Sequence, residues 1–466
     1  MEKTVSGHDL VLLMDDFSEE SRKLYTSFRM AGIDCPVVVL EENGFLPKSA
    51  TSVYGWFLGD FKNVPDSLGR PRYFNQINVP DYWEISGNNR QGKVSDCGRE
   101  RGRIFYAEPL HKRLVRIVDW MDEKGIVRSS DHYNRYGALF ARTTFNAKGQ
   151  RFMRTYFSAD GKEKIVENFV TKDIIVNDGE QVRFFKNKTE LAVYVLQAMG
   201  LARKRICYNT LSTSFFVSER LRNRARSNIL FWQEAKREDI PGNMLGILDG
   251  KNSYTCAIMV QKKVAFDKLL ELGANPDVLH LLGFIYPFKR KNALAHDALI
   301  CTNSDNIAHC TTIIEALPNL NFHIAAITEM SSKLLALGEF ENVTLYPNVK
   351  MPQLDRLFES CDWYFDINHE NEIVSAVKRA FLQNQLIFGF EETAHNRDYV
   401  ADEHLFAKDD VERLISEVRA ILENEVLMEE HLKLQRQFAQ SESPEAYGAL
   451  LQLPLSTEKK ACYNEM

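Results

Sequence analysis

Asp122-Glu-Lys-Gly125, Asn134-Arg-Tyr-Gly137, Asn146-Ala-Lys-Gly149 and Ser158-Ala-Asp-Gly161 decide how the middle of this chain is read. Their glycines fall every twelve residues. Each tetrapeptide opens on a residue whose side chain can bond its own backbone and closes on one that accepts positive φ. That is the chemistry of a type I turn followed by a left-handed residue and a G1 bulge, a common hairpin closure. About eight residues remain between turns, a normal strand length. The repeat therefore predicts one strand and one turn per period, an antiparallel meander. Tyr133, Phe145, Phe157 and Phe169 recur with the same period at strand ends, so aromatics two strands apart share an edge. Such rings either pack the sheet onto a neighbour or form a binding platform. Tyr133, Phe145 and Phe157, with Arg142 and Arg154 one repeat apart, are the candidate partner-binding residues.

The flanks read differently. His8 to Met14 is a short apolar run suited to a buried strand, Ser18 to Ala31 has Leu24, Phe28 and Ala31 at helical spacing, and Pro36 to Leu40 is another strand. A β-α-β unit on a buried parallel sheet follows. Period two sets in near Trp83 and lasts to about Arg183. Helical spacing returns at Glu190 to Met199, and strands at Arg205 to Tyr208, Asn228 to Trp232 and Thr255 to Val260. The meander is thus an insertion in a first α/β domain.

From Asp297 strands and helices alternate regularly, and Ile373, Ala376, Val377, Ala380 and Phe381 form the stripe of a helix lying on a sheet. Val411 to Gln440 reads as closing helices. The expected fold class is α/β, with two Rossmann-like domains and an inserted antiparallel β-meander domain. The expected bounds are 1–66 with 186–285 for the first domain, 67–185 for the insert, 286–453 for the second domain and 454–466 for a tail. Two such domains in tandem are the GT-B arrangement of nucleotide-sugar glycosyltransferases, with ligands at the carboxyl ends of the strands.

Composition excludes several classes. The 466 residues are 44% hydrophobic and 26% charged, ordinary for a globular protein with two or three cores. A net charge of -6 argues against general nucleic-acid binding. Residues 81–172 hold 18 Lys and Arg against 12 Asp and Glu, so this stretch carries +6 and the remainder -12. A basic module on an acidic body fits an anionic surface or partner, or simply a solvated face. The eight cysteines form no CxxC and no metal spacing, the usage of a reduced, cytosolic protein. No apolar run approaches a membrane span, so membrane contact is expected only as a peripheral touch at the inner face.

Asp15-Asp16 follows the first strand, where a helix-leading acidic pair is a commoner reading than a metal site. No GxSxG occurs, which leaves a hydrolase unsupported. Arg220 to Arg226 and Lys289 to Lys291 are basic patches without interleaved aromatics, read as solvated or as contacts to lipid or partner.

Seven stretches carry a specific resemblance: Glu42 to Pro47, Tyr73 to Ile77, Asp81 to Ile85, Ile229 to Glu234, Pro241 to Met244, Thr328 to Ser331 and Asp366 to His369. Over nearly its whole length the chain resembles the non-catalytic subunit of the glycosyltransferase pair that modifies serine-rich-repeat adhesins in the accessory Sec system. The resemblance implies a catalytic partner subunit that transfers N-acetylglucosamine from its UDP sugar to Ser or Thr of the adhesin. Active relatives of this retaining class hold the donor diphosphate with an Arg and a Lys; aligning the strand 298–301 puts Ser304 and His309 at those positions. Their phosphate-loop glycines are replaced by Ile327 to Ser331, and of their two glutamates the first falls near Glu370 to Glu372 while Arg379 stands at the second. A catalytic His would fall near Gln233.

Electrostatic stabilisation of a departing diphosphate is what such an enzyme must supply, so the expectation is a pseudo-enzyme with no cofactor and no metal. Asn43, Gln233, Asn303, Ser304, Thr328, Glu329, Asn368, His369, Glu370, Glu372 and Arg379 are the candidate acceptor-binding residues. His369 and His395 are either acceptor contacts or ordinary loop histidines. The alternative is an active retaining glycosyltransferase with a teichoic-acid or protein acceptor; a pure scaffold comes third.

Overall fold

A computed structural model describes residues 9–62, 67–221 and 227–452; the tail 454–466 and Arg222 to Arg226 of the first basic patch lie outside the described residues. The chain divides after Leu282, and the segment from Pro444 onward belongs with the N-terminal unit.

The N-terminal unit holds two sheets. The first is parallel and seven-stranded, in the order 50–52, 37–39, 10–14, 205–208, 228–232, 255–260, 279–281. Leu10–Met14, Arg205–Tyr208 and Asn228–Trp232 are buried along their whole length, as strands covered on both faces must be. Helix Glu19–Met30 covers one face with Leu24 and Phe28, and Tyr447 of the returning C-terminal segment packs edge-on against Phe28 at 5.9 Å.

The second sheet is the meander. Ten antiparallel strands, from Glu84–Gly87 to Gln181–Phe185, lie in chain order. The repeat turns form as their residue types dictate. Gly125, Gly137, Gly149 and Gly161 have φ of +76°, +79°, +72° and +78°. In each turn the glycine N–H donates to the carbonyl of the opening Asp, Asn or Ser at 2.9–3.0 Å. Asp122, Asn134 and Asn146 also accept two backbone N–H bonds apiece on Oδ1. Register shifts sit beside these turns, at Trp120/Met121, His132/Tyr133, Arg151/Met153 and Tyr156/Phe157, the bulges the turn type requires.

One face of this sheet packs on the first domain through Tyr156, Ile165, Ile174 and Val176, all at 0% exposure, in one core with Tyr54 and Leu191. An ion cluster lies in the same seam. Lys188 bridges Glu41 and Glu167, and Arg154 reaches Glu41 at 3.8 Å. A clip reinforces it: Arg135 donates to the carbonyls of Phe45 and Leu46, and its N–H to that of Gly44 at 2.8 Å. Gly44 allows this approach, since a Cβ there would lie 2.6 Å from the Tyr133 carbonyl oxygen.

The C-terminal unit, 283–443, holds a six-stranded parallel sheet in the order 343–346, 321–326, 297–302, 363–366, 386–390, 405–406. Helix Ala376–Leu382 lays Ala376, Val377, Ala380 and Phe381 on it, the stripe expected from the sequence. Arg290 is turned inward to the buried Asp362, so the Lys289 to Lys291 patch is partly a structural bond rather than a solvated face.

Candidate functional site

In the C-terminal sheet the strand order reverses between Asp297–Thr302 and Trp363–Asp366, so the loops after these strands form its ligand-facing edge. The loops are bonded to each other. Residues 306–308 pair with 367–369, by Ala308 N–H to Ile367 O at 2.8 Å and His369 N–H to Asn306 O at 3.0 Å. The Thr302 hydroxyl donates to Asn368 Oδ1 at 2.9 Å and accepts from Ser304 N–H at 3.1 Å. Asn368 Nδ2 donates to the Glu370 carbonyl at 3.0 Å, and Asn303 Oδ1 stands 3.5 Å from it.

This edge is held from below by His395, one of the two histidines left open between acceptor contact and loop bonding, through a pairing with Asp366 that the sequence did not reveal. His395 donates Nδ1–H to Asp366 Oδ1 at 2.6 Å and Nε2–H to the Glu370 carbonyl at 2.5 Å, so both ring nitrogens donate. Burial pulls the ring's pKa down, but the hydrogen bond and charge of Asp366 outweigh it and raise the pKa to about 9. His395 is therefore an imidazolium clamp that fixes the loop 367–370.

The candidate residues separate. Asn303, Ser304, Asn368, His369 and Glu370 come together here, with Glu370 exposed and Asn368 buried in the network. Thr328 and Glu329 are exposed after the neighbouring strand Asn321–Ala326, joined to the first loop by Ser331 Oγ donating to Asp305 at 2.9 Å. Glu372 turns its carboxylate onto the start of helix Ala376–Leu382, accepting from Val377 N–H at 2.9 Å. Arg379 is drawn across to Asp355 at 2.5 Å and lies 4.1 Å above the Phe358 ring. Glu372 and Arg379 thus have structural partners that the sequence reading did not foresee. His309 has a left-handed backbone at the head of helix Cys310–Ala316, its ring 5.3 Å from that of Phe390.

In the N-terminal unit, Gln233 is 8% exposed and its amide is used internally. Nε2 donates to Gln261 at 2.7 Å and to the Glu20 carbonyl at 2.9 Å, and Oε1 accepts from Asn209 at 3.0 Å. A ligand contact from Gln233 would break this network. Asn43 bonds its own loop through Phe45 N–H at 2.8 Å. Asp15 accepts from Ser214 N–H at 2.8 Å in the first turn of helix Thr213–Leu221, and Asp16 from Ser18 N–H at 3.0 Å just ahead of helix Glu19–Met30, so the two carboxylates serve different segments.

The partner-binding candidates divide by sheet face. Arg142 pairs with Asp131 and stands opposite Thr155, whereas Arg154 stands opposite Thr143. Partners across an antiparallel ladder share a face and successive residues do not, so the two arginines point to opposite sides. Equivalence by repeat position fails because the residue opposite Arg142 is one away from Arg154. Arg154 faces inward at 12% side-chain exposure, between Glu41 and the rings of Tyr156 and Phe169. Tyr133, at 8%, is buried beneath Arg72 in a small core with Ile77, Val94 and Ile104. Phe145 and Phe157 are half-buried at strand ends. The face that carries Arg142 also carries Val166, Ile175 and, on the edge strand, Val182 and Phe184 at 70% and 61% exposure. Sequence reasoning missed this row because it followed the twelve-residue period and not the period of two across it.

Comparison with known proteins matches this layout. Four family profiles align in order: the GtfB N-terminal domain (11–57), the GtfB middle domain (83–186), the GtfB third domain (188–272) and the GftB/GlyA-F C-terminal domain (298–435). A UDP-N-acetylglucosamine–peptide N-acetylglucosaminyltransferase stabilizing protein GtfB from Streptococcus gordonii is 41% identical, over 85% of this chain and 88% of that protein. Its counterpart from Streptococcus agalactiae is 41% identical over 95% and 99%. A chain in the crystal structure of a GtfA/B complex bound to UDP and GlcNAc superposes with a TM-score of 0.89 at 41% identity, over 95% and 99%. With every domain matched in order and identity of this level over most of both chains, the chain belongs to the GtfB family, the stabilizing proteins of UDP-N-acetylglucosamine–peptide N-acetylglucosaminyltransferase.

Proposed function

We propose that this chain is a catalytically inactive subunit that stabilises a catalytic glycosyltransferase and holds its polypeptide acceptor, a serine-rich-repeat adhesin modified with N-acetylglucosamine before export. One observation carries the reading. At the ligand-facing edge of the C-terminal sheet, the helix start that could receive phosphate is occupied by the chain's own Glu372 carboxylate. The loops beside it present Asn303, Ser304, Thr328 and Glu370. Such a surface suits the backbone amides of a flexible polar polypeptide better than a diphosphate. The partner would dock on the outward face of the meander, where Val166, Ile175, Val182 and Phe184 leave an apolar row beside Arg142.

The decisive experiment supplies UDP-N-acetylglucosamine and a serine-rich peptide to the purified chain, to the partner, and to both. Transfer only when the partner is present, and greater with both, is the expected outcome. Turnover by this chain alone would overturn the reading.

A further inference from the structure

In a parallel sheet the ligand crevice opens where the strand order reverses. In the first sheet that point lies between Leu10–Met14 and Arg205–Tyr208, and the chain fills it itself. Asp15 accepts from the Thr210 hydroxyl at 2.9 Å and from Ser214 N–H, while Asn209, Gln233 and Gln261 close the floor. Open room begins one strand further out. A cavity of about 520 Å³ lies beyond the ends of Arg205–Tyr208 and Asn228–Trp232, lined among others by Leu211, Phe216, Trp232, Pro241, Gly242 and Asn243. Two of the seven signature stretches, Ile229 to Glu234 and Pro241 to Met244, contribute to its wall.

The wall selects its ligand. Phe216 is 46% exposed, although its neighbours Phe215 and Val217 are buried on the same helix, and Trp232 is 2% exposed. Arg237, the cation of the lining, is paired with Glu234 and with Asp239, each at 3.3 Å. A phosphate would have to compete with both carboxylates for it. Asn243 donates to the Leu211 carbonyl at 3.2 Å and ties the two lining segments together. The walls are apolar at Leu211, Phe216, Trp232 and Pro241, and the two charges of the lining, Glu234 and Arg237, are spent on each other, surroundings that suit a hydrophobic side chain of a peptide.

We infer that this cavity receives an aliphatic or aromatic side chain of the polypeptide acceptor, so that the chain selects serine-rich sequences interrupted by apolar residues. The inference rests on the acceptor-holding reading above. Gly242 offers a way to close the cavity without disturbing the fold, because a Cβ there meets no atom within 4 Å.

The test uses the full chain assembled with its catalytic partner and two labelled peptides of equal length, followed by fluorescence anisotropy. One peptide contains only Ser and Ala; the other has Leu at every fourth position. The Leu peptide should bind about 10-fold more tightly, the discrimination a hydrophobic pocket gives. Gly242→Trp and Phe216→Ala should each remove that preference, and Gly246→Ala on the same helix should preserve it, with all three melting as the parent does. Equal binding of both peptides by the parent complex, or a preference that survives Gly242→Trp, overturns the inference while leaving acceptor binding intact. Binding of neither peptide overturns the acceptor reading itself.

Discussion

The rings of Tyr54 and Tyr156 lie 4.4 Å apart and 13° from parallel, one from the first α/β domain and one from the inserted sheet. Both are 0% exposed. This stack is the centre of the seam that seats the insert, flanked by Lys188 over the Tyr54 ring and Arg154 beside Tyr156. Replacing either ring by alanine leaves a large cavity, and Tyr156→Ala should cost about 3–5 kcal/mol. In a double-mutant cycle the two rings should couple by about 1 kcal/mol. Denaturant melts of the four proteins give that number, and strict additivity would contradict the stack.

The two arginines of the repeat should differ in what their loss costs. Arg154→Glu adds a third carboxylate to Glu41 and Glu167 in the seam, and should destabilise the chain by about 3 kcal/mol or more. Arg142→Gln keeps a neutral donor toward Asp131, whose carboxylate is 6% exposed and also accepts from Trp120, and should cost about 1–2 kcal/mol. The docking face is better probed by Val182→Ser with Phe184→Ser. These residues are exposed, so the melt should hold while assembly with the catalytic partner weakens. Size-exclusion chromatography decides, and undiminished co-elution would move the interface elsewhere.

His395 gives the C-terminal unit a pH dependence. Its folded pKa of about 9 exceeds the value near 6.5 of an unfolded histidine. The clamp's contribution is therefore complete below about pH 6.5 and is lost as pH rises through about 9. With partial solvent screening we expect about 1–2 kcal/mol. Urea melts at pH 6.5 and 9.5 should show this loss in the parent and a flatter profile in His395→Gln. An identical slope in both would exclude the clamp.

Glu370 and Glu372 are two residues apart and should separate by phenotype. Glu372→Gln weakens the cap on Val377 and should lower the melting temperature, with a cost of about 1 kcal/mol. Glu370 has an exposed side chain, and its backbone makes the structural bonds. Glu370→Gln should leave stability and the partner's own hydrolysis of the sugar nucleotide unchanged. It should slow acceptor modification by about fivefold, the value of one hydrogen bond. Equal loss of hydrolysis and transfer would mean that Glu370 supports the partner's fold instead.

Strand and turn placement were legible because they depend on local chemistry. The glycines at 125, 137, 149 and 161 each require positive φ, and the stripe from Ile373 to Phe381 requires a sheet beneath it. The site was legible only as a neighbourhood. That Asn303, Ser304, Asn368 and Glu370 gather follows from strand ends in a parallel sheet. That Gln233 and Arg379 turn to internal partners depends on residues far along the chain, Gln261 and Asp355, whose proximity no spacing reveals, whereas Glu372 bonds the nearby Val377 N–H. The sequence leaves His395 open between an acceptor contact and a loop histidine, and its bond to Asp366, 29 residues away, is illegible for the same reason as those to Gln261 and Asp355.

A strand-and-turn period of twelve with one reversal per turn also constrains how this protein's lineage can change length. The insert leaves and rejoins the first domain across the same seam, and each strand reverses direction. Removing a single twelve-residue period would deliver the chain to the far side of the sheet, with every later strand inverted. Removing two restores both direction and exit. Natural variation in the width of this sheet should therefore come in steps of a whole hairpin, and the outward apolar row would widen or narrow two strands at a time.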